Sequence, residues 1–261
     1  RVAMYYSNSD VRLEEMPVPK IGPGEILMKV HASGICGSDL MEWYRLPKAP
    51  LVLGHEVAGE VAEVGDGVKN FAPGDRIIAT HHVPCNTCRS CLRGNHSSCQ
   101  TLRTTHFDPG GFAEYIRLPA INVDRGVLKL PDGVTYDEAS FVEPLGCVIR
   151  GQRLAGYGMT DSVLVMGSGI TGLLQIQLAR AQGAGRIIAT DVNDYRLRAA
   201  MYFGADAAID AGDDVASKVR EANEGRLPDM VIVCTGAVSA IQSAFKLTDS
   251  GGTILFFAPS G

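Results

Sequence analysis

From about residue 140 the chain alternates short, uninterrupted apolar runs with helical stretches, and this pattern limits the possible folds more than any other feature. The runs are VLVMG (163–167), RIIATD (186–191), AAID (207–210), DMVIVCTG (229–236) and GTILFFA (252–258). The helical stretches between them are 170–182, 194–203, 213–223 and 238–248. A strand that is apolar on both faces must be covered on both faces, as happens when helices pack on either side of a parallel sheet. The second part of the chain is therefore expected to be a doubly wound parallel sheet. A helix beginning at Glu143-Pro144 and running to about Leu154 leads into it, with proline in the first turn where its missing N–H is tolerated.

Upstream the period differs. Runs at 24–35, 57–65, 74–82 and 110–119 are short and broken by Gly22-Pro23-Gly24, Asp66-Gly67 and Pro73-Gly74. Closely spaced turns of this kind favour an antiparallel barrel or sandwich. Two domains follow, 1–149 and 150–261. The 261 residues are 46% apolar and 20% charged, which excludes wholesale disorder. A formal charge of −5 gives no basic footprint for a nucleic acid. No apolar run reaches the ~18 residues of a membrane span, and the opening RVAMYYSNSD has no signal-peptide core. A cytoplasmic protein with neither nucleic-acid nor membrane partners is expected.

Gly167-Ser-Gly169-Ile-Thr-Gly172 lies between a buried strand and an amphipathic helix. Here the first glycine serves a tight turn, the second the approach of a pyrophosphate, and the third close strand–helix packing, with the phosphates at the helix N-terminus. Asp191 ends the next strand, 191 − 172 = 19 residues past the last glycine, where an acidic side chain reaches a ribose hydroxyl. Its charge repels a 2′-phosphate, so NAD is expected over NADP.

Seven cysteines are present, and four form Cys85-x2-Cys88-x2-Cys91-x7-Cys99. Four thiolates on one loop close a tetrahedral zinc site with no open position, so this zinc is structural. A bacterial ferredoxin cluster would need x3-Cys-Pro at its end, whereas Cys99 is followed by Gln100. Cys36, in GICGSD, and His55, in Gly54-His55-Glu56, could build a second metal site, or could be a buried cysteine and a core histidine.

The order GICGSD, GHE-x2-G, four-cysteine lobe and G-x-G-x-x-G resembles the zinc-dependent medium-chain alcohol dehydrogenases, most of all the polyol (sorbitol-like) and threonine dehydrogenase branch. The resemblance spans essentially the whole chain. It implies an α/β protein in which a GroES-like β-barrel catalytic domain precedes a Rossmann domain, with the active site in the cleft between them. It also implies that Cys36 and His55 hold a catalytic zinc, that Glu56 is a third or exchangeable ligand, and that Glu143 reaches the metal directly or through water. Asp39 would orient the histidine ligand, and Ser38 would pass the substrate proton toward solvent. Thr171, Asp191 and Arg196 match positions around the adenosine ribose and diphosphate, while Thr235-Gly236 ends the fourth strand near the cofactor. The expected reaction is hydride transfer between a secondary alcohol or polyol and NAD, with two zinc ions per chain. A homodimer or homotetramer is implied as the full-length form.

Two departures stand out. Leu40-Met41-Glu42 occupies the segment where many relatives carry a histidine, and five parallel strands are found where the order 3-2-1-4-5-6 has six. The Rossmann sheet and the return to the catalytic domain are thus expected to be C-terminally incomplete, the authentic protein being longer. Other readings are a zinc-independent reductase of the same superfamily, a zinc-finger interaction module, or a truncated, non-catalytic NAD-binding fragment. Trp43, Tyr44, His106 and Phe107 are candidate pocket residues.

Overall fold

The computed structural model describes residues 1–258. The chain divides into two compact units, Arg1–Pro144 and a second beginning at Leu145. In the first unit the strands are β1 (Val2–Ser7), β2 (Asp10–Glu14), β3 (Ile26–Gly34), β4 (Leu51–Val52), β5 (Glu56–Val64), β6 (Arg76–Thr80), β7 (Tyr115–Leu118) and β8 (Val127–Lys129). They form an antiparallel five-stranded sheet, β7-β3-β5-β6-β8, and a three-stranded sheet, β2-β1-β4. The expected runs contain β3, β6 and β7, and all of β5 except its first residue, Glu56. The β1–β2 hairpin went unread: its Asn8-Ser9 turn lacks glycine, and β2 is too exposed to show a buried face.

Ile26, Met28, Val57, Val61, Ile77, Ile116 and Leu118 share one core on the inner face of the five-stranded sheet. Register matters more here than strand length. Gly34 pairs with Glu56 across β3 and β5, and Glu56 pairs in turn with Thr80 on β6. Residues far apart in sequence therefore arrive together at one end of three adjacent strands.

The second unit follows the expected alternation. Strands β9 (Ser162–Met166), β10 (Arg186–Asp191), β11 (Ala207–Asp210), β12 (Met230–Val233) and β13 (Thr253–Phe256) are all parallel, in the order β11-β10-β9-β12-β13. Successive residues of the central strands enter two different cores. Val163, Val165, Ile187 and Ile232 pack on one face of the sheet, and Leu164, Met166, Ile188 and Val231 on the other. That is why these strands read as continuous apolar runs. Helices Ile170–Ala181, Asp194–Tyr202, Val215–Ala222 and Val238–Leu247 supply the covering layers. The strand order reverses beside β9, so the loop leaving its carboxyl end lies at the switch point where doubly wound sheets bind ligands.

The start of β9 is tied to the residue before β12. The Ser162 N–H and hydroxyl both donate to Asp229 Oδ2, at 2.8 and 2.6 Å, and the Asp229 N–H donates back to Ser162 Oγ at 3.1 Å. The Ser162 side-chain hydrogen bond, reinforced by its backbone N–H, holds the Asp229 carboxyl below its ordinary pKa. A carboxyl depressed in the folded state stabilises it above the unfolded-state pKa and loses that contribution as pH falls toward the folded value. Asp229→Ala is expected to cost about 1–3 kcal/mol at pH 7. In urea unfolding, the gap between wild type and variant should shrink as pH falls through about 4; a gap independent of pH would refute the assignment.

Candidate functional site

The mixed-donor cluster grows out of the register of β3, β5 and β6. Cys36 follows β3 and precedes a single 3-10 turn, Gly37–Leu40, while His55 and Glu56 stand at the start of β5. The Cys36 sulfur, a His55 ring nitrogen and a Glu56 carboxylate oxygen all lie within 4.8 Å of one another. His55 and Glu56 are buried, at 9% and 5% exposure. Burial works against a charged His55, but its hydrogen bond with Cys36 and the negative charges of Asp39 and Glu143 prevail and raise its pKa. Burial raises the Glu56 pKa, with Glu143 adding to it and His55 opposing. Glu143 thus acts on both residues. One sulfur, one imidazole and one carboxylate converge there, a donor set suited to zinc.

Asp39 connects the cluster to its surroundings. Its Oδ2 accepts the Cys36 N–H at 3.1 Å, and its Oδ1 lies 3.3 Å from Arg45 Nη2. His55 Nδ1 is 3.7 Å from the same Oδ1, a close electrostatic approach beyond hydrogen-bond reach. Ser38 Oγ accepts from Arg45 Nη2 at 3.1 Å. His81, just past β6, sets its ring 4.6 Å from that of His55, and His82 is next in line at 3.7 Å. Burial, with His82 and His55 adding to it, pulls the His81 pKa down to about 2. Sequence reasoning missed Arg45 and His81. Arg45 lies in an irregular segment without period, and His81 becomes visible only once Thr80 is known to pair with Glu56.

The candidate pocket residues scatter. Phe107 belongs to the barrel core, Trp43 is 72% exposed, and His106 stacks edge-on near His82. A cavity of about 660 Å³ opens beside Asp39, Ser33, Ile35 and Leu40, but Cys36, His55 and Glu56 do not line it.

The four cysteines come together as expected. Cys85, Cys88, Cys91 and Cys99 keep all four sulfurs within 4.8 Å of one another, with separations of 3.5 Å (88–91), 3.6 Å (85–99) and 3.9 Å (85–91). Zinc at about 2.3 Å from each sulfur of a tetrahedron requires edges of about 3.8 Å, so the spacing fits. The loop also presents N–H groups to sulfur: Cys88 N–H to Cys85 at 3.3 Å, and Cys85 N–H to Cys99 at 3.4 Å. Hydrogen bonds from Thr87 and then Cys88 draw the Cys85 pKa down to about 5, while burial pushes Cys91 up to about 12.

In the second unit, Gly167 has φ 93°, and a Cβ on Gly172 would strike the Gly167 carbonyl. Gly169 caps the helix Ile170–Ala181, has open space where a Cβ would stand, and offers no side chain to occupy the first-turn N–H groups. Asp191 is 6% exposed, and its Oδ2 accepts the Ser168 N–H at 2.8 Å while its Oδ1 accepts the Asn193 N–H at 3.0 Å. Arg196 Nη1 is 3.7 Å from Oδ2. Thr235 lies against Gly167, Thr171 hydrogen-bonds Cys234, and Gly236 is exposed. The Ser168 contact, invisible in the motif, makes Asp191 a strut of the glycine loop.

Gly34 has a specific steric role. A Cβ there would overlap the Glu56 carboxylate. Gly34→Ala is expected to displace Glu56 and to destabilise the fold by about 1–3 kcal/mol, measured by denaturant unfolding. Unchanged stability would mean that Glu56 is not held against β3.

Two family models match the chain: the alcohol dehydrogenase GroES-like domain over residues 22–132, and the zinc-binding dehydrogenase domain over 171–261. The sorbitol dehydrogenase of Mus musculus is 38% identical over 258 residues, covering 94% of this chain and 71% of that protein. Alcohol dehydrogenase TADH from Thermus sp. ATN1 superposes with TM-score 0.84 at 30% identity, covering 100% of this chain and 79% of the other. A protein of Sinorhizobium meliloti 1021, described as a zinc-binding dehydrogenase and bound to NADP, gives TM-score 0.88 at 30% identity, covering 99% and 76%. The first unit is accordingly GroES-like and the second a Rossmann sheet. With the motifs, the fold and these likenesses in agreement, the chain belongs to the zinc-dependent medium-chain alcohol dehydrogenase family and is a zinc-dependent alcohol or polyol oxidoreductase.

Proposed function

We propose that this oxidoreductase acts on a secondary alcohol or polyol with NAD in preference to NADP, using one catalytic and one structural zinc. The observation that carries the reading is the convergence of Cys36, His55 and Glu56 on one point, beside Glu143. A zinc held by Cys36, His55 and Glu56 would supply Lewis-acid polarisation of the substrate oxygen, and a bound nicotinamide would supply the hydride acceptor. Ser38 takes up the substrate hydroxyl proton and passes its own to solvent. Asp39 steadies the Cys36 backbone and the electrostatic setting of His55. Cys85, Cys88, Cys91 and Cys99 hold the structural ion. Gly167, Gly169, Thr171 and Gly172 cradle the diphosphate, with Asp191 and Arg196 at the adenosine ribose and Thr235-Gly236 beside the cofactor.

The carboxylate of Asp191 supports NAD, since a 2′-phosphate beside it would be repelled; the NADP bound to the Sinorhizobium meliloti relative makes this a point to test. Mouse sorbitol dehydrogenase as a relative supports a polyol. The exposed pair formed by Phe245 and the last residue of β13, Phe256, with rings 5.8 Å apart, supports a homodimer or homotetramer, and dependence on free thiols supports a cytoplasmic setting. No helix among the described residues is long and apolar enough to cross a membrane. A dehydrogenase assay across polyols, amino alcohols and simple secondary alcohols with each cofactor tests the substrate reading. Absence of turnover with every class in zinc-replete protein would leave a cofactor-binding chain only.

The two metal sites should separate by mutation. Cys36→Ser or His55→Ala is expected to abolish turnover and remove one zinc while the protein stays folded. Cys88→Ser should remove the other zinc and lower the melting temperature, since structural zinc contributes folding free energy. A Cys88→Ser protein with both zincs and unchanged melting would refute the lobe assignment.

Cofactor choice should turn on Asp191. Asp191→Asn keeps an oxygen for the Ser168 N–H but removes the charge. Loss of a charge-assisted ribose hydrogen bond worth about 1.5–3 kcal/mol predicts roughly tenfold or greater weakening of NAD, with NADP improved. Equal affinities before and after substitution would exclude Asp191 from the ribose site.

A further inference from the structure

Arg45 touches Ser38 and Asp39, the residues that follow Cys36, and the motif-based roles leave it without a part. It ends the short helix Glu42–Arg45, which follows the 3-10 turn Gly37–Leu40, and its side chain is only 15% exposed. Its Nε donates to the Ser38 carbonyl at 2.9 Å. Its Nη2 donates to Ser38 Oγ at 3.1 Å and to Asp39 Oδ1 at 3.3 Å. Asp39, in turn, takes the Cys36 N–H through its other oxygen at 3.1 Å. One planar guanidinium is therefore bonded to Ser38 twice, and through Asp39 to the backbone of a candidate metal ligand.

We propose that Arg45 is a positioning residue for the proton path, fixing the direction in which the Ser38 hydroxyl works. The inference rests on reading Cys36, His55 and Glu56 as the metal centre and Ser38 as the group that takes the substrate proton. A guanidinium has five N–H donors and no acceptor, so Ser38 Oγ can only accept from it. A serine hydroxyl has two lone pairs and one hydrogen. With one lone pair committed to Arg45, one lone pair and the hydrogen remain. The free lone pair receives the proton of the substrate hydroxyl as Ser38 releases its own proton to water, leaving serine neutral. In the same oxidation the carbinol hydrogen would leave with its electron pair to a bound nicotinamide, so that the alcohol loses one hydride and one proton. Arg45 itself stays protonated throughout. Leu40-Met41-Glu42 carries no imidazole to continue the path, and water is taken as the acceptor from Ser38.

The rigid fork sets this role apart from that of a rivet in the turn. A lysine offers a point charge and could keep Asp39 company, but it cannot reproduce two parallel contacts to Ser38 together with one to Asp39. Arg45→Lys and Arg45→Ala are compared with wild type in the zinc- and cofactor-loaded protein, reading zinc per chain, melting temperature, kcat, KM and rescue by ethylguanidinium. The expected result is unchanged zinc, kcat lowered about 10- to 100-fold in both variants with KM changed less than about threefold, and partial return of kcat in Arg45→Ala on adding ethylguanidinium. A kcat within about twofold of wild type in Arg45→Ala, or a loss of turnover that follows loss of zinc and resists rescue, overturns the proposal.

A second measurement needs no turnover and no arginine variant. In 15N spectra of the side-chain guanidinium groups, Ser38→Ala should shift the Arg45 signal by removing the acceptor of Nη2. An unmoved signal overturns the proposal even if the Arg45 variants do not fold. Failure of the underlying metal-centre reading looks different: Cys36→Ser would then keep its zinc and its turnover, whatever Arg45 does.

Discussion

Asp39 and Glu56 are 4% and 5% exposed beside the Cys36 sulfur and the His55 ring, and burying that much acid is unfavourable unless cations and donors compensate for it. The first unit is arranged around that requirement. The Cys36 N–H and the Arg45 guanidinium meet Asp39, while Glu56 converges with Cys36 and His55 in a donor set of the kind suited to a divalent ion. Glycine at 34 makes room for the Glu56 carboxylate where any larger residue would displace it. Barrel packing, the 3-10 turn and the short helix carrying Arg45 together place a small number of charged groups where each has a partner.

The same economy appears in the second unit at Asp191. Its carboxylate ends β10 and reaches back to the Ser168 N–H inside the glycine loop, so the acidic residue that closes one strand also holds the turn that leaves its neighbour. Because Ser168 is fully buried, this contact is shielded from water and fixes the loop before any cofactor arrives. Strand order places both at the switch point of the sheet.

Much of this was legible in the chain itself. The four cysteines lie within fifteen positions, from Cys85 to Cys99, so their spacing alone brings the sulfurs to a common centre. The parallel sheet announced itself because its central strands β9, β10 and β12 are buried on both faces, and that pattern survives in the sequence as uninterrupted apolar runs. The β1–β2 hairpin did not, since its outer strand is exposed and its turn lacks glycine. Phe107, a candidate for the pocket, lies in the barrel core, because a phenylalanine next to a functional segment carries no mark of the face it turns to.

Short-range pattern alone determined the doubly wound sheet, the glycine loop with its acidic partner nineteen residues on, and the four-sulfur lobe, since each rests on periods and spacings that span few residues. The tertiary structure alone decided the rest. Cys36, His55 and Glu56 meet through the pairing of Gly34 with Glu56, His81 joins them through the pairing of Glu56 with Thr80, and Arg45 reaches Ser38 and Asp39 from an irregular segment. Antiparallel register is set by the burial of whole strand faces, which no local spacing records.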